Sequence, residues 1–401
     1  MPVDLTLSVM SRRPETASLL RPLLDQYASQ ARVRVHLEMM TWESGHADLN
    51  RAATSGTGPD VSEVGSTWVS DLVAMKSLRP YSSADIARMG GAEAFLPAAW
   101  MTSPQTGEQV WSAPWTTEVF LIHYRKDLLA RTGLSADEAF ASPAAMLETA
   151  RLLGGLGLDV PIALPLNHDR NGTLHCLAPF LWRSGARFLD EQGGGFLFAQ
   201  PEARRAVREY YQLLTTYTRR GLDRLHEVGA WKLFRDGEAA VAFGSQGLTL
   251  SREHLAPEIV DQVGVAGFRP HSFVGGTSLV MWNHARHPSA AADLVRFLVG
   301  ARTQVDLVPA LNALPAVVDA LDDPAFVQGR LHRDFSLAVQ NGRGYGQAPL
   351  WGVVEDRLTA VLASLWDDFH ADPTLDLDAA IEQALSPLAR RLALTFSQYR
   401  K

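Results

Sequence analysis

Cysteine is almost missing from the chain, because Cys176 is the only one among 401 residues. One cysteine cannot form an intramolecular disulfide, so the fold does not depend on an oxidising compartment. Long apolar runs are missing too, and none approaches the roughly 18 residues of a membrane span. The stretch 1–10 lacks a charged segment followed by an apolar one, so we expect no export signal in this sequence.

Clustered positive charge is also absent. The formal net charge is -7, and no segment gathers the lysines and arginines that nucleic acid or an anionic membrane would require. The glycines at 154, 155 and 157 lack the lysine and hydroxyl residue of a phosphate-binding loop, and no nucleophile elbow is present. A hydrophobic content of 46% over this length instead predicts a globular protein of two domains.

Strand and helix patterns alternate along the chain. Apolar residues alternate with polar ones from Val3 to Val9 and again from Val33 to Met39, with a helical pattern between them up to Tyr27. A third strand is predicted to end near Val64. Such units build a parallel sheet whose carboxyl-end loops gather at one edge, where ligands bind. The residues predicted to lie in those loops are Ser11, Trp42, Glu43, Ser66, Thr67 and Trp68.

Four stretches carry a resemblance to a known family. They are residues 56–82, with Pro59-Asp60-Val61 and Trp68; residues 109–133, with Pro114-Trp115 and Tyr124-Arg125-Lys126-Asp127-Leu128; residues 231–243, with the turn Asp236-Gly237; and residues 263–282, with Gly275-Gly276. In this order they resemble the extracellular solute-binding proteins of carbohydrate ABC importers, which are similar to maltose-binding protein. The similarities cover most of the chain.

The resemblance implies an α/β, two-lobed, periplasmic-binding-protein-like fold. Each lobe would be a mostly parallel sheet flanked by helices, and hinge crossings would join the lobes around a ligand cleft. We expect residues 1–115 plus 279–312 in the N-terminal lobe and residues 116–278 plus 313–401 in the C-terminal lobe. The function implied is capture of a mono- or oligosaccharide and its delivery to an ABC permease, by a monomeric, periplasmic or extracellular protein without a cofactor.

Sugar recognition requires aromatic plates together with hydrogen-bonding side chains. Glycine suits such a site because its backbone N–H can approach a ligand closely. Of the ten tryptophans, we expect Trp366 to pack in a helix and Trp351 to lie in a loop facing the cleft. The predicted ligand contacts are Ser11, Arg12, Trp42, Glu43, Ser66, Trp68, Trp115, Glu118, Asn167, Trp182, Trp231, Ser245, Gln246, Gly275, Gly276 and Trp351.

Other functions stay open at this stage. A polyol phosphate would use Arg12, Arg13 or Arg170, and a cationic solute would use an aromatic box with Glu43 or Glu118. A glycosidase would need two facing carboxylates, for which Glu43, Glu63 and Glu118 are available. A metal cluster at His168, Asp169, His175 and Cys176 matches no standard zinc spacing, so no metal is expected. A sensor module without an importer is a further alternative.

Overall fold

The computed structural model describes residues 2–167, 170–190, 195–216, 225–250, 255–308, 311, 313–323, 332–345 and 351–399. The chain divides into two compact units. Unit 1 comprises Met1–Glu118, Val274–His332 and Gln347–Gly352, and unit 2 comprises Val119–Phe273, Arg333–Gly346 and Val353–Lys401. Within the described residues, no helix combines the length and apolar content that crossing a bilayer requires.

Unit 1 contains nine strands or parts of strands and eight complete α-helices among its described residues. Its strands are β1 (Val3–Met10), β2 (Val33–Met40), β3 (Val61–Gly65), β4 (Leu78–Arg79), β5 (Gln105–Thr106), β6 (Gln109–Val110), the first part of β7 (Ala113–Arg125), β11 (Val274–Trp282) and β12 (Leu314–Pro315). Its helices are α1 (Thr16–Ala31), α2 (Trp42–Ser55), α3 (Val69–Ala74), α4 (Ser83–Arg88), α5 (Pro97–Trp100), α13 (Pro288–Leu298), α14 (Ala301–Leu307) and α15 (Val318–Leu321).

The sheet of unit 1 follows from the sequence pattern. Strand β1 pairs in parallel with β2 over all eight residues and with β3 on its other side. Strand β11 then pairs antiparallel with β3, so that Thr277 lies opposite Gly65. Side chains that alternate along β1, including the fully buried Leu5 and Leu7, pack under the helices. The carboxyl ends of β1, β2 and β3 and the amino end of β11 therefore share one edge.

Unit 2 contains the rest of β7, β8 (Val160–Ala163), β9 (Ala239–Ser245) and β10 (Val263–Gly267). Its helices are α6 (Lys126–Thr132), α7 (Ala136–Ala139), α8 (Pro143–Gly154), α9 (Arg170–Arg183), α10 (Pro201–Leu214), α11 (Glu227–Arg235), α12 (Gly247–Leu250), α16 (His332–Gln340), most of α17 (Trp351–Ala371) and α18 (Leu377–Tyr399). Strand β8 pairs in parallel with β9, whereas β7 pairs antiparallel with both β9 and β10.

The α/β architecture is confirmed, and three details differ from the sequence analysis. In unit 2 the described antiparallel pairings outnumber the parallel one, because β7 pairs antiparallel with β9 on one side and with β10 on the other. Residues 313–332 belong to unit 1, where β12 pairs with β7 between Leu314 and Thr117. The predicted loop around Trp42 is the first turn of α2, because Thr41 caps that helix by accepting a hydrogen bond from the Ser44 N–H.

Candidate ligand site

Strand ends in unit 1 bring a polar group of residues together. Arg12 follows β1, Glu63 lies in β3, Thr116 lies in β7 and Thr277 lies in the first half of β11. Arg12 Nη2 lies 3.2 Å from Thr116 Oγ1 and 3.4 Å from Thr277 Oγ1, and the two threonine hydroxyls are 2.7 Å apart. We call these four residues and Glu118 the Arg12 cluster.

A buried ion pair forms the centre of the Arg12 cluster. Arg12 Nη2 lies 2.5 Å from Glu63 Oε1, and the Met10 N–H donates to Glu63 Oε2 at 2.7 Å. The Glu63 side chain is 0% exposed and that of Arg12 is 10% exposed. A charge this deeply buried needs a partner, and each residue supplies it for the other.

The electrostatics of the cluster follow from this burial. Burial lowers the pKa of Arg12, but the charge and hydrogen bond of Glu63, with help from Glu118, more than offset it, and the net pKa is raised. Burial raises the pKa of Glu118, Arg12 opposes that shift, and Glu63 adds to it. The cluster thus holds one cation against two carboxyls, one of which has a raised proton affinity.

Two of the three guanidinium nitrogens of Arg12 have no acceptor among the described residues. Nε and Nη1 are buried and make no hydrogen bond within the described residues. The Arg12 guanidinium carbon also lies 5.9 Å from the ring centre of Trp42, which is half-buried. A buried guanidinium with spare donors beside an aromatic ring is suited to receive hydroxyl oxygens from a ligand.

Trp42 and Trp68 form an aromatic pair in unit 1. Their ring centres are 5.6 Å apart, and the ring planes meet at 65°. The ring of His46, which is also on α2, has its centre 5.0 Å from that of Trp68. Trp68 is 4% exposed, and a Cβ on Gly65 would come within 3.2 Å of its ring. Trp68 therefore supports Trp42 from the core, and its own contact with a ligand stays a prediction.

The other unit 1 residues predicted from the sequence lie near the same edge. The Ser66 N–H donates to the Gly276 carbonyl at 2.9 Å, and Ser11 N–H donates to the Met40 carbonyl at 2.7 Å. Gly276 has a φ of +130°, and a Cβ there would lie 2.0 Å from the Thr116 carbonyl oxygen. Its neighbour Gly275 is buried, whereas Glu43 is exposed in the first turn of α2.

Two of the predicted ligand contacts, Trp115 and Trp351, have side chains that are buried in the structure. Trp115 is 0% exposed and packs in the main hydrophobic core of unit 1, because its side chain points to the helix-covered face of β7. Trp351 was expected in a loop, but it starts α17 and is 2% exposed. A ligand contact at either position stays a prediction. Trp366 packs against Tyr211 as expected, at 5.5 Å between ring centres.

In unit 2, Ser245 and Gln246 lie at the end of β9. Gln246 exchanges two hydrogen bonds with Val119: its side-chain Oε1 accepts from the Val119 N–H at 2.8 Å, and its N–H donates to the Val119 carbonyl at 3.1 Å. Gln246 is 1% exposed. It therefore joins β9 to β7, and its predicted role in binding remains untested.

Trp231 lies close to the same strand end. It is half-buried, its indole Nε1 makes no hydrogen bond within the described residues, and Arg235 covers its ring at 5.4 Å. A Cβ on Gly244 would lie 2.2 Å from Nε1. Glycine at 244 is thus what admits the indole against β9.

Trp182 and Asn167 complete the predicted set in unit 2. Trp182 is 6% exposed, with the Arg343 guanidinium 5.3 Å from its ring centre. Asn167 N–H donates to Thr173 Oγ1 at 3.1 Å, and that hydroxyl donates back to the Asn167 carbonyl. Asn167 thereby holds the loop that follows β8 against the first turns of α9.

Sequence reasoning missed the pairing of Glu63 with Arg12 and the two threonines beside them. A signal was present, because Glu63 is the one charged residue of the strand from Val61 to Gly65, and a buried carboxylate requires a cation. The proposed metal residues His168 and Asp169 lie outside the described residues. In the part of the chain that the structure describes, no group of three or more potential metal ligands occurs.

Comparison with known proteins identifies the family. A sequence profile described as "Bacterial extracellular solute-binding protein" matches residues 23–332, which is more than half of the chain. The chain belongs to this family. The sequence resemblance is thereby confirmed, as is the two-lobed α/β fold class that it implied.

Individual relatives of this solute-binding protein are distant. A curated protein of Deinococcus radiodurans named "Probable ABC transporter-binding protein" is 24% identical over 222 residues, which span 53% of this chain and 52% of that protein. The match therefore spans about half the length of the curated relative. Proteins of this family are substrate-binding proteins of transport systems rather than enzymes.

Solved structures share the fold over nearly the whole chain. The sugar-binding protein MalE of Xanthomonas citri has a TM-score of 0.83 at 18% identity and covers 99% of this chain and 98% of its own. The maltose-bound MalE3 of T. maritima has a TM-score of 0.80 at 20% identity, covering 98% and 100%. A solute-binding protein from Thermotoga lettingae bound to α-D-tagatose has 0.80 at 17%, covering 97% and 100%.

Proposed function

We propose that this protein captures a neutral carbohydrate or polyol and delivers it to the permease of an ABC importer. Family membership supports the binding role, and the name of the D. radiodurans relative supports the link to an ABC transporter. The ligands named for two structures of similar fold, maltose and α-D-tagatose, support the ligand class. The proposal includes a monomer working outside the cytoplasm.

One observation carries the choice of ligand. The Arg12 guanidinium is buried, its charge is already balanced by Glu63, and its Nε and Nη1 have no acceptor within the described residues. An acceptor without net charge satisfies both donors without unbalancing the ion pair. Sugar and polyol hydroxyls are such acceptors, and the neighbouring ring of Trp42 suits the C–H face of a sugar.

The charged alternatives receive less support from this arrangement. A phosphate would meet two carboxyls, Glu63 and Glu118, together with the one arginine of the cluster. A cationic solute would meet Arg12 beside Trp42, and Glu43 is exposed rather than part of an aromatic box. In both cases like charges oppose binding.

An enzymatic role would have to use Glu63 and Glu118, the two carboxyls of the Arg12 cluster. A glycosidase requires one carboxyl as acid and another as nucleophile or base. Glu63 accepts both from Arg12 and from the Met10 N–H, so its use in catalysis would break a buried ion pair. We therefore propose a receptor that releases its ligand unchanged.

Thermal shift with maltose, α-D-tagatose, ribitol, glycerol 3-phosphate and choline tests the ligand class. A ligand that binds only the folded protein raises its melting temperature, and we expect a rise with at least one neutral compound. Calorimetry then gives its Kd. A rise confined to glycerol 3-phosphate or choline would overturn the proposed class.

The role of Arg12 is tested with Arg12→Lys. Lysine retains the charge opposite Glu63 but removes Nε and Nη1, so we expect the Kd of the identified ligand to increase about 10- to 100-fold. The matched control is Arg34→Lys, because Arg34 is an exposed arginine of β2 that pairs with Asp4. Equal affinities of the Arg12→Lys variant and the control would contradict the assignment.

A further inference from the structure

His175, in α9, lies inside a cage formed by residues of unit 2. Its ring stacks on Phe273 with centres 3.9 Å apart at 10°, and it meets the edge of Phe120 at 4.8 Å. Tyr345 lies 5.7 Å away, and His175 Nε2 is 3.8 Å from Glu355 Oε1. The side chain is 10% exposed, and neither ring nitrogen makes a hydrogen bond within the described residues.

Each of the four cage residues lies close in sequence to a point where the chain passes from one unit to the other. Phe120 is two residues past the passage from unit 1 to unit 2 at Glu118/Val119, and Phe273 is the last residue before the return. Tyr345 precedes the passage at Gly346/Gln347, and Glu355 follows the one at Gly352/Val353. Four of the five places where the chain passes between its units thus have a residue packed on one imidazole. We call the stretches around these four residues the crossing segments.

We propose that the neutral His175 imidazole holds the crossing segments together, and that its protonation at mildly acidic pH loosens them. A protonated ring would place a charge between Phe273 and Phe120, which offer no hydrogen-bond acceptor from their side chains. The carboxylate of Glu355 is 3.8 Å from Nε2, which is longer than a hydrogen bond, so the cage must rearrange before the two groups can form a close ion pair.

Other ionisable groups around the cage do not reverse this argument. Burial raises the pKa of the Tyr345 hydroxyl well above its ordinary value, with Glu355 and Cys176 adding to the shift, and burial raises the pKa of the Cys176 thiol. Both are therefore neutral at the pH values in question. Arg343 is positive and lies over Trp182, whose ring is 6.4 Å from Phe273, so it disfavours a second cation. Of these described groups, Glu355 and Tyr345 lie against His175 itself, whereas Cys176 interacts with Tyr345 and Arg343 lies over Trp182.

The direction of the pH effect follows from linkage. Burial lowers the pKa of His175 to about 3, whereas a solvated histidine has an ordinary value near 6.5. Between these values the caged ring stays neutral while a released ring takes up a proton, so acid favours the loosened arrangement. From pH 7.5 to pH 5 the ratio of loosened to caged states rises by up to about thirty-fold. If the proposed receptor function holds, ligand retention weakens over the same range.

Hydrogen exchange of the ligand-free protein tests the proposal independently of any ligand. We expect peptides that contain Phe120, Phe273, Tyr345 and Glu355 to lose protection by about tenfold or more from pH 7.5 to pH 5, after correction for intrinsic rates. Peptides from β8 and the first residues of β9 serve as the internal control, because protonation of the buried His123 of β7 also lowers the stability of the sheet to which they belong. An equal loss of protection in the crossing segments and in the control peptides would mean general unfolding and would overturn the proposal.

His175→Phe keeps the aromatic stack but cannot be protonated, so its crossing segments should lose no more protection at pH 5 than the control peptides do. His175→Gln gives a second neutral variant if the phenylalanine does not fit. The wild-type ring itself can be followed by NMR with histidine labelled at Cε1. A ring that titrates near 6.5 while the crossing segments stay protected would refute the role of His175, as would an excess loss over the control peptides that persists in both variants.

Discussion

Replacing Glu63 with glutamine tests the physical basis of the Arg12 cluster. Glutamine has the same shape and can still accept from the Met10 N–H, but it cannot balance the charge of Arg12. Removing one partner of a buried ion pair costs about 3–5 kcal/mol, because the remaining charge stays desolvated. Glu118 also interacts with the Arg12 charge, so we expect a loss near the lower end, at about 3 kcal/mol.

The double variant Arg12→Met with Glu63→Leu gives the contrast. It removes both charges while filling a similar volume, and the hydroxyls of Thr116 and Thr277 keep their mutual bond at 2.7 Å. Such replacements are often neutral, so we expect stability within about 1 kcal/mol of wild type. Arg12→Met alone should be about as unstable as Glu63→Gln, because it leaves the Glu63 carboxylate buried with the Met10 N–H as its remaining donor.

The assay is urea unfolding combined with hydrogen exchange in peptides from β1 and β3, which report on unit 1 alone. Exchange in these peptides separates a loss in unit 1 from any change in unit 2. A Glu63→Gln variant within about 1 kcal/mol of wild type would refute the argument that the pair is effectively buried. A double variant as unstable as the sum of the two single ones would show that the two residues contribute independently, which would contradict mutual neutralisation.

Three further predictions concern backbone space and pH. Gly276→Ala should destabilise unit 1 by about 2–4 kcal/mol in urea unfolding, because its φ is +130° and the new Cβ would meet the Thr116 carbonyl; a loss below 1 kcal/mol would contradict this. Gly244→Ala should cost about 1–3 kcal/mol and shift tryptophan emission, since the Cβ displaces Trp231; an unchanged spectrum would count against that packing. Burial lowers the pKa of His123 to about 4, so the free energy of unfolding falls as the pH drops below about 6.5, and the loss reaches about 2 kcal/mol at pH 5. His123→Gln should flatten the pH profile of stability, and a profile identical to that of the wild type would refute this prediction.

Much of the fold was predictable because its signals are local. The alternation in Val3–Met10 and Val33–Met40 is a property of adjacent residues, and these segments form the longest parallel pairing of unit 1. The start of α2 is predicted as a loop because Trp42 follows a strand almost directly and no residue before it belongs to a helical pattern. The threonine cap at position 41 was the signal available in the sequence, and it marks a helix start.

The sequence does not indicate which side chains of β7 point to which face of the sheet. Residues Ala113 to Phe120 are buried at every position except Glu118, which is partly exposed, so no alternation distinguishes the core side from the other side. The sequence therefore does not reveal that the Trp115 side chain packs in the core of unit 1, and its predicted ligand contact stays a prediction. Trp351 shows the same limit at a helix start, because a tryptophan at a boundary packs inward as readily as it binds a ligand.

The Arg12 cluster shows why a site of this kind escapes a reading along the chain. Its hydrogen bonds join residues that are 51, 104 and 265 positions apart, and the antiparallel return of β11 is what places Thr277 beside Arg12. No spacing rule spans such separations. A physical rule does apply within one strand, because a carboxylate at an otherwise buried position requires a cation nearby. Glu63 in the buried strand Val61–Gly65 therefore predicts a buried arginine or lysine, and the neighbouring parallel strand, which ends just before Arg12, is the place to look for it.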